Sequence, residues 1–196
     1  MAALRRMADR IAHRGPDDWG TWCDPQHGAF FAHRRLSIVD LSAAGHQPMA
    51  SPSGRYMLVY NGEVYNHRAL RAELELVAAR TWRGHSDTEV VLAAFEAWGI
   101  EKTLTRFVGM FAMAIWDRSE HALTLVRDRA GEKPLYWGML EGRLTFGSEL
   151  KAFEGLASAS LRTNQSAIPL LLPWNQLGNN LAIYGANHGA EKRYEA

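Results

Sequence analysis

Apolar residues at Leu4, Met7, Ala8 and Ile11 fall at helical spacing, so the chain opens in a helix with one buried face. His13-Arg14-Gly15-Pro16-Asp17-Asp18 ends it, because the Gly-Pro pair favours a turn and proline cannot continue a helix. From there to Tyr60 the pattern is short and β-like, with runs at Ala29 to His33, Leu36 to Val39 and Tyr56 to Tyr60 between Gly, Pro and Ser turns. Asn66 is expected to cap a helix striped by Leu70, Leu74, Val77 and Ala78. Ser86 and Glu89 have capping-box spacing ahead of a second stripe, Val90, Val91, Ala94, Phe95 and Trp98, which Gly99 closes. A short helical stretch from Leu104 to Val108 precedes two β-like runs, Met110 to Trp116 and Ala122 to Arg127, about the polar turn Asp117 to Glu120; these predict an antiparallel hairpin. Leu135 to Trp137 and Leu144 to Phe146 continue the meander, and Ser148 is expected to cap a brief helix through Phe153. Strands, then helices, then strands predict an α+β fold with segregated layers. Periodicity is lost after Gly155, so residues 1–155 read as one domain and 156–196 as a tail or linker.

Composition narrows the function without choosing it. Twenty-two Lys and Arg stand against 21 Asp and Glu with no basic block, which argues against nucleic acid or an anionic membrane as the main partner. No apolar run approaches the roughly 18 residues of a membrane span and the first residues lack a signal-peptide pattern, so a cytoplasmic protein is expected. One cysteine, Cys23, excludes an intramolecular disulfide and paired-cysteine zinc sites. The eight histidines show no ligand spacing, so no metal is expected.

The chemistry-bearing clusters lie at the ends of β-like runs. Asn61-Gly62-Glu63 places an amide, an unhindered backbone N–H and a carboxylate in succession, suited to stabilising an oxyanion beside a cation. Taken alone, the Asn-Gly pair reads more readily as a turn. In His33-Arg34-Arg35-Leu36-Ser37-Ile38-Val39-Asp40 a guanidinium stands against a strand, where it can clamp a carboxylate or simply be solvated. Asp87 at a helix start suits an ammonium group, although such an Asp needs no function. Together these describe a site for a zwitterionic amino acid beside an oxyanion hole.

In order along the chain, these blocks, with Gly45-His46-Gln47-Pro48, Gly84-His85-Ser86-Asp87-Thr88-Glu89, Phe107-Val108-Gly109-Met110-Phe111-Ala112, Arg127-Asp128-Arg129-Ala130-Gly131-Glu132-Lys133-Pro134-Leu135-Tyr136 and Gly147-Ser148-Glu149-Leu150-Lys151, resemble the glutaminase domain of glutamine-hydrolysing asparagine synthetases, class II glutamine amidotransferases of the N-terminal-nucleophile type. The resemblance implies an α-β-β-α sandwich of two antiparallel sheets between helical layers. It implies that Arg35 binds the α-carboxylate of L-glutamine, with backbone groups of Ile38 and Val39 lining the pocket. Asn61 and Gly62 become the oxyanion donors, and Glu63 and Asp87 anchor the α-ammonium side. The glutaminase step needs no cofactor. ATP and Mg²⁺ belong to a synthetase domain that amidates aspartate with the ammonia released, and a homodimer is left open.

The family's nucleophile is an N-terminal cysteine on a strand before the first helix. This chain reads Met1-Ala2-Ala3-Leu4, already in helical pattern, and Cys23 is internal. The chain as given is therefore expected to lack the first strand and the thiol, and to be a catalytically incomplete fragment without its synthetase domain. Two alternatives stay open: an amidotransferase of the same class serving an amino-sugar or polysaccharide precursor, and a non-catalytic glutamine-binding module.

Overall fold

The computed structural model describes residues 1–37, 42–140 and 142–156. In chain order these form α1 (Ala2–Arg10), β1 (Asp18–Asp24), β2 (Ala29–Arg35), β3 (Met49–Ala50), β4 (Tyr56–Val64), α2 (His67–Val77), α3 (Asp87–Trp98), α4 (Ile100–Leu104), β5 (Gly109–Asp117), β6 (Ala122–Arg127), β7 (Tyr136–Leu140) and β8 (Arg143–Gly147), with short 3-10 turns at Ala12–Arg14, Ala43–Gly45 and Leu150–Gly155. All strand pairs within the three sheets are antiparallel, and the architecture is α+β, as the segregated pattern predicts. Of the predicted tail, 156–196, all but Leu156 lies outside the described residues. No helix among the described residues is long and apolar enough to cross a membrane.

The described residues divide into two compact units. The smaller, residues 1–11 with 134–156, joins α1 to the 3-10 turn at Leu150–Gly155 and contains the β7–β8 hairpin. Helix and turn meet closely at Gly155, where a Cβ would stand 2.6 Å from the Met7 backbone nitrogen, and the Arg6 Nε–H donates to the Gly155 carbonyl.

The larger unit, residues 12–133, holds the site. Its four-stranded sheet runs β3-β4-β5-β6, and β1 and β2 form a separate ribbon. Side chains of even number in β4 (Tyr56, Leu58, Tyr60, Val64) and of odd number in β5 (Phe111, Met113, Ile115) join Leu70 and Leu74 of α2 and Val90 to Phe95 of α3 in one core. Full burial of each such side chain contributes about 1.5–3 kcal/mol. The first nine residues of α3 are all buried, a wider burial than the stripe predicted from its spacing.

Several boundaries differ from the sequence expectation for local physical reasons. β1 lies in a segment outside the β-like runs expected from the pattern, and Cys23 stands in it opposite Phe30. β4 does not stop at Tyr60 but continues through Asn61-Gly62-Glu63 to Val64, because β5 pairs with it throughout; the Asn-Gly turn does not form. The Leu36 to Val39 run gives no strand at Leu36 and Ser37, and Ile38 and Val39 lie outside the described residues. Asn66 stands at the N-cap of α2, but its side chain bridges the Arg106 carbonyl and the Val108 N–H instead of capping the helix. α2 ends at Val77, which is exposed, and Ala78 is outside it. Ser86 does cap α3, accepting from the Thr88 N–H, whereas Glu89 turns back to accept from Arg83 and Gly84. α4 comes earlier than the stretch predicted around Leu104 to Val108. Glu149, not Ser148, precedes the last turn, and no side chain caps it.

Candidate active site

The register of β4 explains why a polar pocket forms beside a buried sheet. β3 covers the outer edge of β4 only at Met57 and Leu58. Beyond that point the even residues direct their backbone groups away from β5: the Tyr60 N–H donates to Gln47 Oε1 (2.7 Å), the Tyr60 carbonyl accepts from His33 Nε2 (3.0 Å) and the Val64 N–H donates to Asp87 Oδ2 (3.0 Å). Gly62 lies between Tyr60 and Val64 with the same parity, opposite a Phe111 whose N–H and carbonyl both bond to Asp128, so its N–H points to this same edge. The odd residues Asn61 and Glu63 project from the sheet face opposite the helices.

A pocket of about 240 Å³ lies here, lined by His33, Arg34, Arg35, Gly45, Gln47, Tyr60, Asn61, Gly62, Glu63, Asp87, Met110 and Lys133 among others. It brings together Arg35, Asn61, Gly62, Glu63 and Asp87, all expected from sequence to share a site. Ile38 and Val39 lie outside the described residues.

Arg35 ends β2 and is 8% exposed. Its Nη1–H donates to the Ser42 carbonyl (3.0 Å), and a Cβ on Gly45 would fall 2.1 Å from Nη2, so the turn at Ala43–Gly45 closes over the guanidinium. The chain before β1 braces it from behind. The Asp17 N–H donates to the Arg35 carbonyl, Asp17 Oδ2 accepts from the Ser37 N–H, and Gly15 approaches the Arg34–Arg35 peptide so closely that a Cβ would be 2.3 Å from Arg34 C. The His13 to Asp18 block is thus the mount of Arg35. His46 Nδ1 meets Asp18 Oδ2 at 2.7 Å; burial opposes the Asp18 charge, but the His46 bond and the Trp19 N–H together hold its carboxyl below the usual range.

Asp87 Oδ2 accepts from both the Tyr60 hydroxyl (2.6 Å) and the Val64 N–H, which fixes the carboxylate at the pocket wall. Burial, reinforced by the Asp87 charge, pushes the Tyr60 phenol far above its ordinary pKa, so it stays a donor. Asn61 Nδ2 is buried without a hydrogen-bond partner, a costly arrangement for a donor unless a ligand completes it. The Arg127 to Lys133 loop closes the far side, where Asp128 accepts from the N–H groups of Phe111, Glu132 and Lys133 and the Arg127 Nε–H donates to the Lys133 carbonyl.

His33, Gln47, Tyr60 and Lys133 were not among the residues expected from sequence. For His33, Gln47 and Tyr60 the signal is conformational, since each is defined by a partner remote in the chain, whereas Lys133 is placed by local bonds to Asp128 and Arg127. Burial lowers the His33 pKa to about 4, so the imidazole is neutral in the folded protein. Because the unfolded value is 6.5, stability from this residue is complete above about pH 6.5 and declines as pH falls toward 4, by up to about 3 kcal/mol. Denaturant unfolding at a series of pH values should show that decline in the wild type and a flatter profile in His33→Asn; parallel profiles would remove His33 as the cause.

Cys23 faces elsewhere. It lines a separate hollow of about 650 Å³ with Trp22, His27, Arg55 and Arg118, and is not among the residues lining the pocket of Arg35 and Asn61.

Comparison with known proteins identifies the family. Residues 1–186 match the family model described as a glutamine amidotransferase domain. The chain is 42% identical over 149 residues to asparagine synthetase [glutamine-hydrolyzing] 2 of Bacillus subtilis, covering 76% of this chain and 19% of that protein. It is 37% identical over 172 residues to asparagine synthetase [glutamine-hydrolyzing] 3 of the same organism, covering 84% and 26%. The chain therefore spans about a fifth to a quarter of the length of these curated relatives. Among solved structures, the glutamine phosphoribosylpyrophosphate amidotransferase of B. subtilis superposes with a TM-score of 0.67 at 21% identity, over 82% of this chain and 42% of that one, which shows a common fold. A family match over most of the length and a shared fold place this chain in the glutamine amidotransferase domain family.

Proposed function

We propose that this chain is the glutamine-binding part of a glutamine-hydrolysing asparagine synthetase, with residues 1–155 as its glutaminase domain. The buried, partnerless amide of Asn61 carries the reading, because it stands ready to donate to an oxygen that the protein does not itself provide. In this reading Arg35 takes the α-carboxylate of L-glutamine, with Ile38 and Val39 contributing backbone groups, and Glu63 and Asp87 face the α-ammonium. The side-chain carbonyl then points at Asn61 Nδ2 and the Gly62 N–H. When a nucleophile adds to the carboxamide carbon, charge develops on that oxygen, and in this reading the two donors stabilise it.

The thiol that attacks in this family is N-terminal, and the one cysteine of the sequence does not line the pocket. Cys23 is accordingly not assigned as the nucleophile, and the residues of this pocket bind glutamine and hold its carbonyl. Among the described residues no group of three His, Cys, Asp or Glu side chains is placed to hold a metal. In this reading ATP and Mg²⁺ belong to a synthetase domain, which converts aspartate to asparagine with the ammonia, in a cytoplasmic enzyme.

Calorimetric titration with L-glutamine tests this. Saturable binding is expected, with no ammonia release above background, and Arg35→Ala should weaken binding by roughly 30- to 4,000-fold, the scale of removing one partner of a buried charge pair. A folded wild-type chain that does not bind glutamine would refute the reading. Ammonia release would refute the assignment of the nucleophile outside these residues.

A further inference from the structure

Two buried polar atoms of the pocket lack partners, and they are of opposite character. Asn61 Nδ2 is a donor. The other is His33 Nδ1. Its character follows from the bond on the other side of the ring: the Tyr60 carbonyl can only accept, so Nε2 carries the proton. With the ring neutral, Nδ1 is left with a bare lone pair. The ring is held in place by its Nε2 bond to β4, the strand that carries Asn61 and Gly62.

A carboxamide has the reverse of this pair, an oxygen that accepts and an NH₂ that donates. A carboxylate has acceptors only. We propose that His33 is the residue that distinguishes amide from acid: its Nδ1 accepts a hydrogen bond from the side-chain NH₂ of the ligand whose carbonyl oxygen is held by Asn61 and Gly62. Glutamate, the hydrolysis product, brings an anionic oxygen to the same lone pair. It meets repulsion there and leaves a buried acceptor unsatisfied, so the pocket discharges its product. This assignment rests on the glutamine-binding reading above and adds to it a determinant of specificity.

The test uses the 196-residue chain, its His33→Phe variant and three ligands: L-glutamine, L-glutamate and L-glutamate γ-methyl ester. The ester keeps the neutral carbonyl but replaces NH₂ by a group with no hydrogen to donate. The wild type is expected to bind glutamine about 10-fold or more tightly than the ester, the scale of leaving one buried polar group unpaired. In His33→Phe this preference should shrink to about threefold or less, and glutamate should bind as well as before or better. Equal weakening of all three ligands in a folded variant would overturn the proposal, since a structural role does that. If His33→Phe does not fold, the wild type still decides: equal affinity for glutamine and ester overturns the assignment, and a preference for glutamine supports it. Absence of any glutamine binding to the wild type fails the functional reading itself, and is distinguishable from glutamine binding that does not discriminate.

Discussion

Gly62→Ala is expected to cost more than about 3 kcal/mol and to abolish glutamine binding. The added Cβ would stand 2.1 Å from the Met110 carbonyl oxygen and 2.6 Å from the Phe111 Cα, both backbone atoms of the paired strand, so neither moves unless β5 moves. The residue also has φ +152°, a conformation that side chains resist. Overpacking and backbone strain, each about 1–3 kcal/mol, act together here. Gly28→Ala is the control: its φ is +72° but nothing lies within 4 Å of the new methyl, so it should cost only about 1–2 kcal/mol. Denaturant midpoints of the two variants, with calorimetry on whatever remains folded, check this. Equal losses would mean that β4 and β5 do not approach as closely as described.

Asp87 separates folding from binding in a second pair of variants. In Asp87→Ala the Tyr60 hydroxyl and the Val64 N–H both lose their acceptor in a buried site. At about 1–3 kcal/mol for each stranded donor, a total loss of about 2–6 kcal/mol is expected. Asp87→Asn keeps an oxygen that accepts from both and should fold within about 1 kcal/mol of wild type, yet it removes the negative charge proposed to face the ligand ammonium and should weaken glutamine at least 10-fold. Unfolding curves and titrations on both variants settle the point. If Asp87→Asn binds glutamine as well as wild type, Asp87 is a support for β4 and Glu63 alone meets the ammonium.

The elements legible in the sequence are those whose information is local. The stripes of α1 and α3, the β5–β6 hairpin about Asp117 to Glu120 and the ordered polar blocks stand out because spacing alone specifies them. β1 does not, because Asp18-Trp19-Gly20-Thr21-Trp22-Cys23-Asp24 lacks a run of β-formers and its buried position is a glycine. Gly20 is required there because a Cβ would meet the Gln47 carbonyl oxygen at 2.2 Å. The Asn61-Gly62 pair misleads for the complementary reason: a turn dipeptide stays extended when a partner strand pairs along its whole length. Arg35, Asn61, Glu63 and Asp87 could be named beforehand because the ordered polar blocks that hold them resemble a known family; charge and amide chemistry alone left a turn, a solvated basic pair and an ordinary helix-start Asp as alternatives. His33 and Gln47 could not, since each serves a backbone group of Tyr60, 27 and 13 residues away.

The uncovered edge of β4 has a consequence for solubility as well as for chemistry. A strand edge with free N–H and carbonyl groups invites pairing with any other extended chain, and proteins ordinarily guard such edges. Here the guards are Gln47 and His33 on Tyr60 and Asp87 on Val64, and the unguarded interval is Gly62, where the proposed ligand docks. Among the described residues the pocket is thus a gap in a protective cover. Substitutions that widen the gap are expected to trade a binding site for an aggregation surface, so that expression yield and ligand affinity fall together.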